Sequence, residues 1–235
     1  TSSNYFFRPG LTWPRRTQQF GVRSLTAGCI FADKGPAAFV SQADEKELLL
    51  LLSLMLSRPL GMLVELSLNA ADKTARSFEV GILQGVPAPL FTEKAKTLLS
   101  ASAQAAWLLK RSFDLIDDTS HAFTLPALLQ CQGATLAERG AACGKRFAET
   151  EAELSRIQSE VDEVAYDLYG FTEEERKAVS SAQSEVSSEW DIGDGKESEE
   201  KGDEDFAEES NAPASESVAI GATAYRLILT AQFLS

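Results

Sequence analysis

The chain has 235 residues, of which 44% are hydrophobic, enough for one core of ordinary size plus an appendage. Its net charge of −13 does not exclude nucleic acid as a partner, because the charge is unevenly distributed. Residues 1–146 carry sixteen basic and twelve acidic side chains, a net charge of +4. Residues 185–216 carry thirteen acidic side chains and two lysines, a net charge of −11.

Neither a membrane span nor a secretory signal is predicted. The longest apolar stretch, residues 48–56, is far shorter than the ~20 residues that span a bilayer, and no basic segment precedes an apolar one. The chain begins at Thr1, without a methionine and inside sequence that reads as folded, so we expect a fragment of a longer protein. Three cysteines at spacings that match no zinc motif indicate free thiols in a reducing compartment, and therefore a cytoplasmic protein: Cys29, Cys131 and Cys143.

Residues 1–92 are expected to form an α+β domain with a small mixed sheet. The first forty residues alternate between short β-prone runs and turns, the clearest turn being Asp33-Lys-Gly-Pro36. Acidic residues at 44–47 suit the start of a leucine-rich helix that ends near Ser57, and Pro59 suits the first turn of a second helix. Residues 77–86 return to a strand-like pattern.

Residues 93–178 are expected to be helical. A helix over residues 93–118 has one apolar face, made by Leu98, Ala101, Ala105, Leu109, Phe113 and Ile116. A second helix over residues 144–169 ends at Gly170 and has the spacing of a short coiled-coil seam, made by Leu154, Ile157, Val161, Val164 and Leu168. Residues 181–216 are acidic and contain few apolar side chains, so they are predicted to be a disordered linker. Residues 217–235 are predicted to form one short element, either a helix or a strand.

The sequence predicts no catalytic residue and no metal site. A single histidine, His121, excludes mechanisms that need paired histidines. Asp117, Asp118 and His121 lie close together in the chain, but a capping or loop role near a helix end is favoured over a metal site. No nucleophile elbow, cysteine–histidine motif or phosphate-binding loop with the required spacing is found.

The N-terminal block combines arginines, hydroxyls and aromatic side chains on short turns. Arginine can bind phosphate or guanine edges bidentately, and threonine can fix phosphates. We therefore predict duplex DNA as the partner, with Thr12, Arg15 and Arg16 as candidates for base edges and Lys34 as a phosphate contact. The full set of predicted DNA-binding residues is Thr12, Arg15, Arg16, Thr17, Arg23 and Lys34. The alternative is a solvated surface whose arginines pack beside Trp13 and Phe20.

A series of segments in the order of the chain resembles the target-recognition region of large adenine-specific DNA methyltransferases from type II restriction-modification and phage-exclusion systems. The layout is also similar to the specificity subunits of type I restriction systems. The segments are Gly10-Leu-Thr-Trp-Pro-Arg-Arg-Thr17, Ala27-Gly-Cys-Ile-Phe31, Lys34-Gly-Pro36, residues 52–59, residues 71–81, Val86-Pro-Ala-Pro89, Ala106-Trp-Leu-Leu-Lys-Arg111 and residues 157–170.

The resemblance implies that catalysis belongs to an upstream methyltransferase domain of the parent protein. In that family a Rossmann-like domain binds S-adenosylmethionine, and an Asn/Asp-Pro-Pro-Tyr/Phe loop holds the flipped adenine. None of the eight prolines of this chain is adjacent to another, so that loop is missing and no cofactor is expected here. The expected function is sequence-specific DNA recognition.

Two other functions remain open on the sequence. The chain could be a helical structural segment that docks on a methylase or partner subunit through residues 154–168, although these residues could equally pack on their own domain. An autonomous nuclease is disfavoured, because pairs such as Glu45-Lys46 and Glu93-Lys94 do not provide spaced carboxylates for metal ions.

Overall fold

The computed structural model describes residues 2–17, 19–40, 44–68, 76–120, 122–188 and 228–230. Three short strands from the first forty residues form an antiparallel sheet: β1 (Gly10–Thr12), β2 (Arg23–Leu25) and β3 (Ala37–Phe39). β1 lies in the centre, with Thr12 opposite both Arg23 and Ala37. A fourth strand, β4 (Ile228–Thr230), pairs with β3, so part of the expected C-terminal element is a strand. The expected α+β class is confirmed, and all four described strands pair antiparallel.

The two faces of the sheet are covered differently. Successive residues of β3 point to opposite faces, as in any strand. Ala38 joins the main core with Leu11 and the helices, whereas Ala37 and Phe39 join a smaller aromatic cluster. This cluster is completed by side chains from the N-terminal turn and from the β2–β3 loop: Tyr5, Phe6 and Phe31.

Two helices follow the sheet as expected, α1 (Glu45–Leu56) and α2 (Arg58–Ser67). The Asp44 side chain caps α1 by accepting from the backbone N–H of Lys46 at 2.9 Å. α1 is apolar almost all round because it is covered by the sheet on one side and by a later helix on another. Pro59 stands in the first turn of α2, and the chain bends by 66° between the two helices.

The strand predicted over residues 77–86 was wrong. Ser77 alone finds a strand partner, in an isolated bridge with Arg16, and the chain then enters the short helix α3 (Val80–Gly85). Val80 and Ile82 favour a strand by their branching, but the helix places Leu83 in the main core.

Three helices complete the first compact unit: α4 (Glu93–Asp114), α5 (Ala127–Gln130) and α6 (Leu136–Tyr169). The predicted apolar face of α4 was wrong, since Ala101 and Ala105 are exposed. The face that packs on α1 is made instead by the smaller set Ala95, Leu99, Ser102 and Ala103. Small side chains allow the two helices to approach closely, and the buried Ser53 Oγ donates to the carbonyl of Leu99 at 2.6 Å.

Helix α6 begins eight residues before its expected start and ends where expected. The Thr135 and Glu138 side chains form a capping box at its start, and Gly170, with a φ of 71°, ends it. Ile157 and Val161 of the expected seam are buried, but so are Ala165 and Tyr166, while Leu154, Val164 and Leu168 are only partly buried. This face of α6 lies in the same unit as α2 and α4 and packs on them.

The chain divides into two compact units, the first formed by residues 1–170 and 227–235 and the second by residues 171–226. The boundary expected at residue 92 does not separate two cores, because the main core includes Ala103 and Ala165. In the second unit, α7 (Glu173–Ser188) continues through residues 181–188, which were expected to be linker. The rest of the expected linker, residues 189–216, lies outside the described residues.

Within the described ranges, no single helix is long and apolar enough to cross a membrane. α1 and α2 reach the required length and composition only as a bent pair.

Candidate nucleic-acid interface

The fold gathers all six predicted DNA-binding residues at one end of the sheet. β1 ends at Thr12, β2 begins opposite it at Arg23, and β3 begins beside it at Ala37. The β1–β2 loop carries Arg15, Arg16 and Thr17, and the turn before β3 carries Lys34. We call this surface the basic end, defined by Thr12, Arg15, Arg16, Thr17, Arg23 and Lys34.

Buried aromatic rings anchor the β1–β2 loop. Trp13 is buried, and its Nε1–H donates to the carbonyl of Phe78 at 2.8 Å. The Phe20 ring lies 6.4 Å from the Trp13 ring and 5.3 Å from the Phe78 ring, between centroids. The loop therefore has its own apolar attachment to the core, which restricts the positions of the polar residues that it carries.

The Arg15 guanidinium is bound by two carboxylates. Its Nη1 donates to both Asp33 oxygens, at 2.7 and 2.6 Å, and its Nη2 donates to Glu79 Oε1 at 2.9 Å. The hydrogen bond to Glu79 raises the pKa of Arg15 most, burial opposes this, and the bond to Asp33 raises it further. Arg15 is therefore a charged residue whose charge is compensated inside the protein.

The two threonines are partly buried. The Thr12 hydroxyl donates to the carbonyl of Pro36 at 2.9 Å, which leaves its oxygen as an acceptor. Thr17 lies in the β1–β2 loop, two residues after Arg15.

Arg16, Arg23 and Lys34 are exposed. In the part of the chain that the structure describes, their side chains form no ion pair or hydrogen bond with another residue. These three cations are available to an anionic ligand.

The acidic partners of Arg15, Asp33 and Glu79, were not predicted from the sequence. Asp33 belongs to a turn that the sequence did predict, but its pairing depends on how the two loops meet. Glu79 is 64 residues from Arg15, and no local pattern connects them. Only the tertiary fold brings the three side chains together.

Asp117 stabilises the loop after α4, in agreement with the capping or loop role that the sequence favoured over a metal site. Asp117 Oδ1 accepts from the backbone N–H and hydroxyl of Thr119 at 2.9 and 2.7 Å, and these bonds lower the pKa of Asp117. His121 lies outside the described residues. Among the described side chains, no group of three His, Cys, Asp or Glu residues could hold a metal ion.

The expectation of three free thiols was wrong. Cys131 and Cys143 form a disulfide, and Cys29 is the free cysteine. The chain reverses direction between α5 and α6, which brings the two Cα atoms to 5.8 Å across a separation of twelve residues. Cys29 is therefore the one cysteine that remains as a free thiol, and the other two no longer indicate a reducing compartment.

No family model matches the sequence, and no curated protein matches it either. The basic end is therefore the main basis for inferring a function.

Proposed function

We propose that this chain is the DNA-target-recognition part of an adenine-specific DNA methyltransferase and that it binds duplex DNA through the exposed cations of the basic end. One observation carries the proposal: the fold collects three exposed cations, Arg16, Arg23 and Lys34, on loops and strand ends that buried aromatic rings hold in place. The segments that resemble methyltransferase recognition regions support the parentage.

The dimensions of the basic end suit a duplex. Arg23 begins β2 and Lys34 precedes β3, and these two strands lie on either side of β1. Neighbouring strands are ~4.8 Å apart, so β2 and β3 are separated by about 10 Å across the sheet, and Lys34 lies in the turn three residues before β3. This span is comparable with the width of the major groove, about 12 Å. Arg16 lies in the β1–β2 loop, where it can reach a base edge or a third phosphate.

The chain supplies recognition and no methyl-transfer site. Its four described strands are short and antiparallel, whereas a Rossmann-like cofactor site needs parallel strands that lead into helices. S-adenosylmethionine therefore does not fit the described residues. We propose that it binds to an upstream methyltransferase domain of the same parent protein, in a restriction-modification or phage-defence system.

Charge removal at the basic end tests the proposal. Arg16→Ala, Arg23→Ala and Lys34→Ala should each weaken binding of a mixed-sequence duplex, because each removes one cation that displaces counterions from DNA. For every phosphate that is no longer neutralised, the negative slope of log affinity against log salt should become shallower by about 0.9. Fluorescence anisotropy of a labelled duplex at several salt concentrations measures both effects.

Lys145→Ala is the control, because Lys145 is an exposed cation of α6, outside the sheet, whose ammonium lies 3.7 Å from the Glu149 carboxylate. It should leave affinity and slope close to those of the wild type. Equal affinities for the wild type and all three basic-end variants would contradict the proposal.

A second function, docking on the methylase or on a partner subunit, is favoured by one observation. Large apolar side chains are exposed on the C-terminal half of α4 and near α5, including Trp107, Leu108, Leu128, Leu129 and Leu136. Exposed apolar surface of this kind is typical of protein contacts. If docking is the function, the basic-end variants will bind duplex DNA no differently from the wild type.

A further inference from the structure

Arg15 connects both loops of the basic end to the segment before α3. Besides its two carboxylate partners, its backbone N–H donates to the carbonyl of Lys34 at 3.0 Å, and its carbonyl accepts from the N–H of Phe78 at 2.7 Å. Asp33 lies in the β2–β3 loop and Glu79 immediately before α3. One residue of the β1–β2 loop therefore bonds to two other segments, the β2–β3 loop and the segment before α3, through its side chain and backbone.

Two of the three exposed cations are chain neighbours of this cluster. Arg16 follows Arg15, and Lys34 follows Asp33. The bond between the Arg15 guanidinium and the Asp33 carboxylate thus fixes the backbone one residue away from each of these two cations. Arginine suits this role because its planar guanidinium can bind two carboxylates at once, which the compact ammonium of lysine cannot reproduce.

The charge of Arg15 is also already compensated. Two carboxylates lie within 2.9 Å of one guanidinium, so binding to DNA through this side chain would have to break bonds that the folded protein has made. Only a cation that neutralises a phosphate contributes to counterion release. Arg15 should therefore contribute little to the salt dependence of DNA binding.

We infer that Arg15, held by Asp33 and Glu79, is a positioning residue that sets Arg16 and Lys34 relative to each other and does not itself touch DNA. This inference rests on the proposed function. It assigns to Arg15 an effect on sequence preference rather than on non-specific affinity, because preference requires fixed geometry, whereas non-specific binding requires only charge.

Two variants of the full chain separate these effects. The double variant Arg15→Gln/Glu79→Gln removes one positive and one negative charge, so the net charge is unchanged. Arg15→Lys keeps the charge without the planar fork. Arg16→Ala serves as the comparison, because it removes a side chain proposed to bind a phosphate or a base. The probes are a duplex enriched by the wild type from a random pool and the unselected pool itself, at several salt concentrations. Circular dichroism melting of each variant sets a temperature at which all are folded.

Both Arg15 variants should keep the wild-type salt slope on the unselected pool and lose roughly tenfold in preference for the enriched duplex, the effect of about one mismatched base pair. Arg16→Ala should make the negative slope shallower by about 0.9. The inference is overturned if the Arg15 double variant also makes the slope shallower by about 0.9, since Arg15 then binds a phosphate, or if preference is unchanged. If the wild type itself enriches no duplex, the proposed function fails as well, which is a distinguishable result.

Discussion

Asp162 shows how a single buried residue can connect distant parts of the chain. It lies on α6 and is 4% exposed, yet its Oδ1 accepts from the backbone N–H of Arg58, the first residue of α2, at 2.8 Å. The same oxygen accepts from Gln158 Nε2 at 2.9 Å, and Oδ2 lies 3.2 Å from Arg58 Nε. Ser57, the N-cap residue of α2, makes no side-chain cap, so α6 supplies this bond from outside the helix.

Burial raises the pKa of Asp162, although its hydrogen bonds with Arg58 and Gln158 lower it in part. A folded-state pKa above the unfolded value means that folding takes up protons. The contribution of Asp162 to the free energy of unfolding is therefore largest below the unfolded pKa of ~3.9 and decreases as pH rises through the folded pKa.

Two substitutions of Asp162 should differ in their effects. Asp162→Asn keeps the Oδ1 acceptor and removes the buried charge, so at pH 7 it should change the free energy of unfolding by less than ~1 kcal/mol. Asp162→Ala leaves the Arg58 amide without its acceptor and should cost about 1–3 kcal/mol. Urea unfolding at pH 7 and near pH 4.5 measures both effects.

The pH dependence gives a second check on Asp162. Lowering the pH should stabilise the wild type relative to Asp162→Asn, because only the wild type gains from protonation at this position. An Ala variant as stable as the Asn variant, or a wild type–Asn difference that does not change with pH, would contradict this account of the residue.

At the scale of elements, the pairing of β1 with β3 depends on the absence of a side chain at Gly10. A Cβ at this position would lie 2.7 Å from the carbonyl oxygen of Ala38 and 2.8 Å from the Phe39 ring. Such distances are too short, and the two strands would have to separate. This strand pair supports the basic end, because Thr12 belongs to β1.

Gly10→Ala should therefore destabilise the protein by roughly 1–3 kcal/mol. Gly61→Ala in α2 is the matched control, because a Cβ there meets no atom within 4 Å. It should stabilise the protein by about 0.5–1 kcal/mol, since alanine favours a helix interior. Thermal unfolding of both variants gives the comparison, and a Gly10→Ala protein as stable as the wild type would disprove the close strand contact.

Elements whose signals are local could be predicted from the sequence, and elements that depend on a partner could not. The start of α1 at the acidic residues 44–47, the start of α2 at Pro59 and the end of α6 at Gly170 were predicted because such residues act on their own backbone. The buried face of α4 was missed because Ala95 and Ser102 are small and carry little hydrophobic signal. They are buried because α1 packs closely on α4, and no pattern within α4 alone indicates that contact.

At the level of the whole molecule, the candidate site also combines features that the sequence predicts with features that depend on tertiary contacts. The sequence pointed to six polar residues of the N-terminal block, and the antiparallel sheet brings them to one end. It could not distinguish Arg15, whose charge is compensated, from Arg16, whose charge is exposed, because the difference depends on Asp33 and Glu79. The cysteine pair was missed for a similar reason, since it depends on the chain reversal between α5 and α6.

The uneven charge of the molecule explains why its total is a poor guide to its partner. The net −13 results mainly from residues 185–216, whereas the basic end carries three uncompensated cations. Attraction to phosphates depends on the local potential, which falls off over a Debye length of about 8 Å at physiological salt. We therefore expect this protein to bind DNA despite its acidic net charge.

Selection from a random-sequence duplex pool by the full chain, at near-physiological salt, tests sequence recognition most directly. We predict that repeated rounds converge on one short site, bound about 10³-fold or more tightly than the unselected pool. A pool that stays random in sequence, or an enriched duplex that binds no more tightly than the starting pool, would contradict a role in reading DNA sequence.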